Sequence, residues 1–324
     1  MIKTRKQNFF EYLTSNILDY LLGIFPRKLN VVIPNKVGKY EFVKILSIED
    51  NSDTAVLMCT DENGNNVVAK IWQGRFKNFS YYGLVNEYVV YKLLSKKISS
   101  LANDMPEKFK TVKIPKIIDF IESENQTALI IEWIDGKKLE SFSNKKIFTT
   151  YKKVSEFFDF ISINFKASDV SKLQLHKSLI YIVTYPLYLA VSIILNIKYM
   201  KLILRSFRSY LKGIIEILND QNLKFVHRDL NFKNILVKDE QVYVIDFQYS
   251  LMTIKAVEFV NTLRYCWDKN IIKEEVLKLA QESCSLYELK ALIVAHGTHG
   301  LTARNFSSGV INRIAKYIQM GDKL

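Results

Sequence analysis

The segment from Phe225 to Val237, which reads FVHRDLNFKNILV, constrains this chain more than any other part of its sequence. Asp229 lies between two short apolar runs, Asn234 follows five residues later, and a second aspartate, Asp246, follows a third apolar run. Short apolar runs bounded by polar residues are typical of buried strands. A lone aspartate before a strand is usually a turn or cap residue, but the joint spacing of these three residues indicates a functional cluster.

The His-Arg-Asp triplet that ends at Asp229, with Asn234 and the Asp-Phe pair at Asp246, resembles the catalytic loop HRDxxxxN and the metal-binding motif of the protein-kinase-like superfamily. The resemblance implies that Asp229 orients the attacking hydroxyl and accepts its proton. It also implies that Asn234 and Asp246 bind Mg²⁺, which prefers oxygen ligands, and that Lys233 reaches the transferred phosphate. Phosphoryl transfer depends on positioning and charge neutralisation, which explains why these residue types occur together.

A lysine and a glutamate upstream extend the resemblance. Lys70 ends the segment VVAK, which is similar to the third-strand lysine motif of the superfamily, and Glu87 follows 17 residues later on a predicted helix. The resemblance implies that Lys70 holds the α- and β-phosphates of ATP and that Glu87 pairs with Lys70. The segment Glu132-Trp133-Ile134, at the end of the fifth predicted strand, resembles the hinge, whose backbone groups would bind the adenine edge.

The loop between the first two predicted strands departs from the superfamily pattern. A G-x-G-x-x-G loop is expected there, but the segment from Ser47 to Asp53 contains no glycine. Glycines let the backbone approach phosphates closely, so their absence could weaken nucleotide binding. A loop of the Ser and Asn type also resembles the aminoglycoside-phosphotransferase and choline-kinase branch. By that resemblance, Asn51 and Ser52 would cover the phosphates through their backbone N–H groups.

The segment after Asp246 also departs from protein kinases. Gln248 stands in place of the glycine of Asp-Phe-Gly, and no Ala-Pro-Glu motif follows. The nearest match ends at Glu258, too soon after Asp246 for a peptide-docking activation segment. These departures argue against an ordinary protein substrate. The arginine of His-Arg-Asp, in turn, resembles the glycan and lipopolysaccharide-core kinases of the superfamily more than the antibiotic kinases.

The order of predicted elements indicates an α+β protein with two lobes. A three-stranded meander, a helix over 81–98 and two further strands precede a mostly helical second half. We therefore expect a protein-kinase-like bilobal fold with an amphipathic helical segment over 1–36, a β-rich N-lobe with the hinge over 37–136, and a helical C-lobe over 137–324. The predicted strands are Tyr40–Ile48, Thr54–Thr60, Val67–Trp72, Ile114–Phe120, Ala128–Trp133, Phe225–Val226, Ile235–Val237 and Val242–Ile245.

Composition limits the partners and the compartment. The net charge of +13 indicates an anionic partner, such as nucleotide phosphates, an anionic membrane or nucleic acid. The basic residues are spread along the chain and do not alternate with aromatic residues, so nucleic acid is not expected. The three cysteines, Cys59, Cys266 and Cys284, fit neither a disulfide framework nor a CxxC metal motif. With no recognisable signal peptide, a cytoplasmic location is expected.

Ser178–Ile197 is an uncharged, mostly apolar run of about the length that spans a bilayer. It fits a core helix kinked at Pro186, a helix at the inner face of the membrane, or a true span. A span is the least consistent of these with the resemblance, because both lobes must stay on the side that holds ATP. Basic residues recur near helical spacing after the run, which favours peripheral membrane contact through 178–212.

The resemblance therefore predicts an ATP- and Mg²⁺-dependent kinase that phosphorylates a hydroxyl of a sugar, a lipid-linked glycan or another small molecule. Three alternatives remain open. The protein could be a Ser/Thr protein kinase with a short activation segment, an aminoglycoside-type antibiotic kinase, or a nucleotide-binding pseudokinase that serves as a scaffold. The complete set of motif residues argues against the scaffold.

Overall fold

A computed structural model describes residues 31–48, 53–74, 77, 79–173, 185, 189–194, 197–219, 222–269, 271–300 and 308–324. These residues form two compact units that alternate along the chain. The first unit contains the described residues up to Leu139, those between Phe165 and Gln174, and Asn234–Ser250. The second contains Glu140–Asn164 and the described residues of 175–233 and 251–324.

The predicted domain boundaries give each lobe one continuous segment of chain, and they stay predictions. The compact units show a different division, because the segment Asn234–Ser250 belongs with the first unit although it lies within the predicted C-lobe. Residues 1–30 of the amphipathic helical segment predicted over 1–36 lie outside the described residues.

The described residues contain the following strands and helices. In chain order the strands are β1 (Lys36–Val37), β2 (Tyr40–Ile48), β3 (Thr54–Thr60), β4 (Asn66–Gln73), β5 (Val112–Lys113), β6 (Ile117–Glu122), β7 (Gln126–Glu132), β8 (Lys137–Lys138), β9 (Lys224–Val226), β10 (Ile235–Lys238), β11 (Gln241–Val244) and β12 (Leu251–Thr253). The helices are α1 (Phe79–Ser100), α2 (Asn144–Ile163), α3 (Ala167–Val170), α4 (Met200–Asn219), α5 (Ala256–Lys269), α6 (Lys273–Ser283), α7 (Leu286–Gly300) and α8 (Ser308–Lys323).

The first unit is built on a six-stranded antiparallel sheet in the order β1-β2-β3-β4-β7-β6. Buried and less buried residues alternate through most of β3 and β4, as expected for strands with one face against a core. The predicted meander is confirmed, and β2 and β3 have the predicted bounds. The strand predicted from Ile114 begins instead at Ile117, after Pro115, because proline has no N–H to donate to a neighbouring strand.

Two glycines allow tight turns in this sheet. Gly38 joins β1 to β2 with a φ of 59°, and a Cβ added there would lie 2.6 Å from Cδ1 of Ile121. Gly64 has a φ of 79° in the turn between β3 and β4, where Oδ1 of Asp61 accepts a hydrogen bond from the N–H of Asn65 at 2.8 Å. The turn predicted between these strands is therefore confirmed.

A second sheet of the first unit has the order β5-β11-β10-β8. Its β10–β11 hairpin turns at Asp239 and Glu240, whose φ angles of 45° and 65° match the mirror-image turns favoured in two-residue hairpins. Asn234 directly precedes β10, and Asp246 follows shortly after β11. The N–H of Ile245 donates to the carbonyl of Asn234 at 3.0 Å, so the hairpin brings both motif residues to one end of the sheet.

The second unit is mainly helical, as predicted for the residues after Asn144. Its short sheet pairs β9 with β12, a strand that the sequence did not predict because its three residues carry no periodic signal. The N–H of Phe225 in β9 donates to the hydroxyl of Ser162 in α2 at 2.7 Å, which ties the strand to the helix. The core contains the fully buried aromatic residues Tyr151, Phe157, Phe158, Phe225, Phe232 and Phe259.

A buried ionic cluster anchors the first turn of α5. Glu258 is fully buried, and its Oε1 accepts hydrogen bonds from the Ser155 hydroxyl at 2.6 Å and from Lys255 Nζ at 3.0 Å. Lys255 Nζ also lies 3.0 Å from Oδ1 of Asp159. Burial raises the pKa of Glu258, and the nearby lysine acts in the opposite direction. Glu258, the nearest match to the glutamate of an Ala-Pro-Glu motif, therefore joins α5 to α2.

The described part of the uncharged run Ser178–Ile197 consists of Tyr185, residues 189–194 and Ile197. The ring of Tyr185 is buried and stacked on Tyr210 of α4, with centroids 3.7 Å apart. Ile194 and Ile197 are exposed. Among the described helices, none is both long and apolar enough to cross a membrane. The rest of the run lies outside the described residues, so its three interpretations stay predictions.

Candidate active site

Lys70 of β4 binds two carboxylates in the first unit. Its Nζ donates to Oε1 and Oε2 of Glu87 at 2.8 and 2.9 Å, and to Oδ1 of Asp246 at 2.7 Å. Glu87 is fully buried on α1, whereas a quarter of the Asp246 side chain is exposed. Three residues that are far apart in the sequence therefore meet at one ammonium group.

Opposing effects set the charges of this cluster. Burial would lower the pKa of Lys70, but the carboxylates of Asp246 and Glu87 outweigh it and raise that pKa above its ordinary value, so the lysine stays protonated. Burial raises the pKa of Glu87, and Lys70 together with the backbone N–H of Phe247 acts in the opposite direction. Lys70 therefore favours the ionised form of Glu87, although burial has the larger effect on its pKa.

Helix α1 also holds the segment that follows the second motif aspartate. The backbone N–H of Phe247 donates to Oε1 of Glu87 at 3.2 Å. Nδ2 of Asn86 donates to the carbonyl oxygens of Gln248 at 3.1 Å and Ser250 at 2.9 Å. Asn86 is buried, so these bonds satisfy polar groups away from solvent. No local sequence pattern indicated a role for Asn86, because its partners lie more than 160 residues away.

Asn234 and Asp246 provide an amide oxygen and a carboxylate at the same end of the β10–β11 hairpin. Mg²⁺ takes oxygen ligands and usually completes its coordination with water and substrate phosphates. Among the described residues, no group of three or more His, Cys, Asp or Glu side chains could hold a metal by itself. The two-residue donor set therefore fits a metal that is bound together with a phosphate substrate.

Asp229 lies in the second unit and is oriented by Asn231. Nδ2 of Asn231 donates to Oδ1 of Asp229 at 3.0 Å, and Oδ1 of Asn231 accepts from the backbone N–H of Lys233 at 2.9 Å. The backbone N–H of Asn231 also donates to the carbonyl of Asp229 at 2.8 Å. Asn231 is buried and therefore fixes both the turn and the carboxylate. Sequence reasoning missed this residue, although its place two residues after the aspartate was an available signal.

Helix α5 supports the backbone of the same loop. Nδ2 of Asn261 donates to the carbonyl of Arg228. The hydroxyl of Thr262 lies 2.7 Å from the carbonyl of Leu230, and the hydroxyl of Tyr151 lies 3.3 Å from Thr262 Oγ1. The two neighbouring residues on α5 therefore hold the carbonyls on both sides of the motif aspartate. These contacts are long-range, so the local sequence pattern could not predict them.

Lys233 is exposed and has an aromatic and acidic neighbourhood in the second unit. Its Nζ lies 5.6 Å from the centroid of the Tyr265 ring. The hydroxyl of Tyr265 is hydrogen-bonded to the carboxylate of Glu140, and burial together with this carboxylate raises the pKa of Tyr265 above its ordinary value. The group therefore presents an ammonium, a neutral phenol and a carboxylate close together.

Two residues of the motif adopt backbone conformations that are unusual for their type. Arg228 has a φ of 67° and Asp246 a φ of 70°, in the left-handed region that favours glycine. Such conformations cost about 1–3 kcal/mol each and are concentrated at functional sites. The hydrogen bond from Asn261 to Arg228 and the contact of Lys70 with Asp246 help to hold these two residues in place.

Of the remaining residues predicted to bind the nucleotide, the structure describes Glu132, Trp133 and Ile134. Glu132 ends β7, and its backbone N–H donates to the carbonyl of Lys116 at 2.9 Å. Trp133 is partly exposed and Ile134 is buried. The adenine-binding role of this segment stays a prediction. Asn51 and Ser52 lie outside the described residues.

Comparison with known proteins tests the predicted fold. An aminoglycoside phosphotransferase in a ternary complex with ADP and hygromycin B superposes with a TM-score of 0.58 at 12% identity, covering 87% of this chain and 94% of its own. An amicoumacin kinase in complex with AMP-PNP, Ca²⁺ and its ligand gives a TM-score of 0.55 at 12% identity, covering 98% and 96%. Choline kinase from Cryptosporidium parvum gives 0.54 at 15% identity, covering 95% and 96%.

The chain has the protein-kinase-like fold. The predicted fold class and the resemblance to this superfamily are therefore confirmed. Residues 203–291 match the sequence model of the phosphotransferase enzyme family, abbreviated APH, and this segment contains Asp229, Asn234 and Asp246. No curated protein sequence matches the chain. The protein-kinase-like fold and the family match together support the prediction that the protein is a phosphotransferase of the kinase type.

Proposed function

We propose that the protein transfers the γ-phosphate of ATP to a hydroxyl group of a small molecule, with Mg²⁺ as the metal cofactor. The observation that carries the proposal is the contact of Lys70 with both Glu87 and Asp246. A protonated lysine held between two carboxylates can exchange one of them for a phosphate without moving far. A purely structural ion pair would not need the second, partly exposed carboxylate.

The first unit supplies the residues proposed to bind the nucleotide. Lys70 would hold the α- and β-phosphates, and Glu87 would position Lys70. Asn234 and Asp246 would hold Mg²⁺, which neutralises charge on the phosphates when it is bound. Residues 132–134 would bind the adenine edge through backbone groups, and Asn51 and Ser52 would cover the phosphates.

The second unit supplies the residues proposed to act on the acceptor. Asp229 would accept the proton of the acceptor hydroxyl as its oxygen forms a bond to the γ-phosphorus. The bond between the γ-phosphorus and the bridging oxygen then breaks, and ADP leaves with that electron pair. Lys233 would stabilise negative charge on the transferred group. Asn231 supports this assignment because it orients the Asp229 carboxylate at 3.0 Å.

The proposed acceptor is a sugar, a lipid-linked glycan or another small hydroxyl compound rather than a protein. The short path from Asp246 to α5 supports this choice, because the helix begins at Ala256 and β12 occupies part of the interval. That path leaves little chain for a peptide-docking activation segment. We place the reaction in the cytoplasm, where ATP is available, with peripheral membrane contact through 178–212.

A second candidate is an antibiotic kinase. The APH family match over residues 203–291 favours it, as do the aminoglycoside and amicoumacin kinases among the proteins of similar fold. Glu140, beside Tyr265 and Lys233, is a carboxylate that a cationic acceptor could contact. A drug with several amino groups would then bind through charge, whereas a neutral sugar would bind through hydrogen bonds.

The test is transfer of labelled γ-phosphate from ATP and Mg²⁺ into fractionated cell extract and into a panel of aminoglycosides. Wild type is compared with Asp229→Asn, which keeps the side-chain shape and removes the base. We expect a fall of about 10²–10⁴-fold in transfer. Asp239→Asn is the matched control, because Asp239 is exposed in the β10–β11 turn.

The fraction that carries the label decides between the candidates. Label in the glycan, lipid or small-molecule fraction that depends on Asp229 supports the main proposal. Label in the aminoglycosides alone favours the antibiotic kinase, and label in protein bands favours the protein-kinase alternative. If Asp229→Asn transfers phosphate as fast as Asp239→Asn, then Asp229 is not the base.

A further inference from the structure

Helix α4 (Met200–Asn219) has three distinct faces. Its buried face contains Ile203, Ser206, Tyr210, Gly213, Ile214 and Ile217. Gly213 lies so close to α7 that a Cβ added to it would be 2.2 Å from the carbonyl oxygen of Tyr287. This close approach fixes the rotation of α4 about its axis. The two remaining faces of the helix are therefore held in a defined orientation.

The second face is an exposed apolar stripe. Leu204 is 51% exposed, Leu211 47%, Ile215 61% and Leu218 43%. These residues are spaced by seven, four and three positions, so they lie on one side of the helix. Met200 at the start of α4 and Ile197 before it, which is 74% exposed, extend the stripe toward the N-terminal end. A row of exposed large apolar residues marks an interaction surface.

The third face is a stripe of cations. Its members are spaced alternately by three and four positions, and all are exposed: Lys198, Lys201, Arg205, Arg208 and Lys212. Four of them directly follow an exposed apolar residue, so the cationic stripe lies beside the apolar stripe as far as Lys212. Glu216 is the single acidic residue between 197 and 219, and it is hydrogen-bonded to Ser285.

We propose that the exposed face of α4 binds the surface of an anionic lipid bilayer. The apolar stripe would enter the boundary between headgroups and acyl chains, and the cationic stripe would contact the lipid phosphates and carboxylates. A helix lying in the plane of a membrane requires this combination of parallel apolar and basic stripes. The proposal deepens the peripheral membrane contact proposed above, by naming its helix and its lipid class. It can fail without the phosphotransferase reaction failing, because none of these residues belongs to the proposed catalytic machinery.

Charge complementarity favours a bilayer over a second copy of the chain. The chain carries a net charge of +13, and five cations line the stripe, so two copies facing each other would bring ten cations together. Like charges at close range oppose association. An anionic membrane instead attracts each cation, and its apolar interior accepts the leucine and isoleucine side chains.

The experiment measures binding of the full-length protein to vesicles by co-sedimentation. Vesicles of phosphatidylcholine with phosphatidylserine are compared with vesicles of phosphatidylcholine alone, at low and high salt. We expect binding to the anionic vesicles that weakens as salt rises, because salt screens surface charge. This comparison uses the wild-type protein and needs no variant.

Two variants separate the stripes. The first variant removes four cations by the substitutions Lys201→Gln, Arg205→Gln, Arg208→Gln and Lys212→Gln. Each cation should contribute about fivefold to the affinity for anionic vesicles, so this variant should bind several hundredfold more weakly. Leu204→Ser with Leu211→Ser and Ile215→Ser removes the apolar stripe and should weaken binding at least about tenfold. The matched control loses the same charge from exposed lysines of the first unit, Lys108, Lys110, Lys113 and Lys116, and should bind like wild type.

A fluorescent label checks which face inserts. An environment-sensitive dye on Leu211→Cys should shift to the blue with anionic vesicles, whereas the same dye on Ile163→Cys, an exposed apolar site on α2, should not. Equal binding to neutral and anionic vesicles, or no binding at all, would overturn the proposal. A dimer that the serine variant dissociates would overturn it in favour of a second copy. Loss of binding in the first-unit control would move the binding site away from α4.

Discussion

Replacing Lys70 with methionine tests the cluster of Lys70, Glu87 and Asp246 without reference to any substrate. Methionine has a flexible apolar side chain that fits the space of the lysine stem. The variant removes three hydrogen bonds that the ammonium makes to the two carboxylates. Asp246 is partly exposed and can be solvated, whereas Glu87 is fully buried and cannot. The main consequence should therefore fall on Glu87.

The pKa of Glu87 determines how the loss of stability varies with pH. Burial raises this pKa, and Lys70 is the largest opposing influence, so the pKa should rise further in the variant. Wild type already bears most of the cost of a raised pKa at pH 7, because burial has raised the pKa of Glu87 from 4.5 to about 7; a further rise in the variant adds to this cost mainly above pH 7. We expect Lys70→Met to lower the free energy of unfolding by about 3–5 kcal/mol at pH 7, the range typical of removing one partner of a buried ion pair.

The raised pKa of Glu87 determines whether the loss of stability grows or falls as pH rises. A carboxyl with a raised pKa in the folded state destabilises the protein increasingly as pH rises above its ordinary pKa. The loss in Lys70→Met should therefore have a constant part, from the lost contact of Lys70 with Asp246, and a part from Glu87 that is negligible near pH 5 and grows between pH 7 and pH 8. In wild type, the raised pKa of Lys70 favours folding at all pH values below its ordinary 10.5, so this residue adds no pH dependence in that window.

Urea denaturation followed by circular dichroism, between pH 5 and pH 8, measures the effect. Lys44→Met is the matched control, because Lys44 is exposed on β2, and it should lose little stability at any pH. The double variant Lys70→Met with Glu87→Gln should lose the part of the pH dependence that comes from Glu87, since that carboxyl is no longer present. A loss of stability that is equal at pH 5 and pH 8 would refute the reasoning.

Three further substitutions test contacts around the site. Thr262→Val should lower stability by about 1–3 kcal/mol and reduce kcat, because it removes the donor to the Leu230 carbonyl; an unchanged kcat alongside reduced stability would argue for a merely structural role. Gly213→Ala should cost at least about 1–3 kcal/mol in urea denaturation, because its Cβ would meet the carbonyl of Tyr287, and a neutral result would contradict the close packing of α4 on α7. Asn86→Ala should speed hydrogen exchange in residues 247–250, and protection equal to wild type would show that its two donors do not hold that segment.

Much of the fold could be predicted because its signals are local. Strands β2 and β3 alternate with turn residues, and their bounds follow directly from that pattern. The pairing of Lys70 with Glu87 could be anticipated from the resemblance. The meeting of both residues with Asp246 could not be derived from spacing alone, because it depends on the packing of β4, α1 and the β10–β11 hairpin within the first unit.

What the sequence could not predict depends on contacts between distant segments. Strands β1, β5, β8 and β12 contain two or three residues each and exist because a neighbouring strand supplies their partner. The support of the backbone around Asp229 by α5 joins residues about 30 positions apart, and the pair of Tyr265 with Glu140 joins residues 125 positions apart. Neither type of contact leaves a periodic trace in the local sequence. Distance along the chain does not explain why Asn231 was missed, because its partners Asp229 and Lys233 are only two residues away.

The contacts after Asp246 explain why a glycine is not needed at position 248. In the described first unit, Phe247 is buried against Tyr91 with ring centroids 5.0 Å apart, and its N–H is bound to Glu87. Asn86 binds the next carbonyls of the segment, so α1 holds Asp246 from one side and Lys70 holds it from the other. A glycine would serve to let this segment turn, but here every turn would break several buried hydrogen bonds. The hydrogen bonds of Asn86 and Glu87 to the segment 247–250 therefore take over the role of fixing its conformation after Asp246.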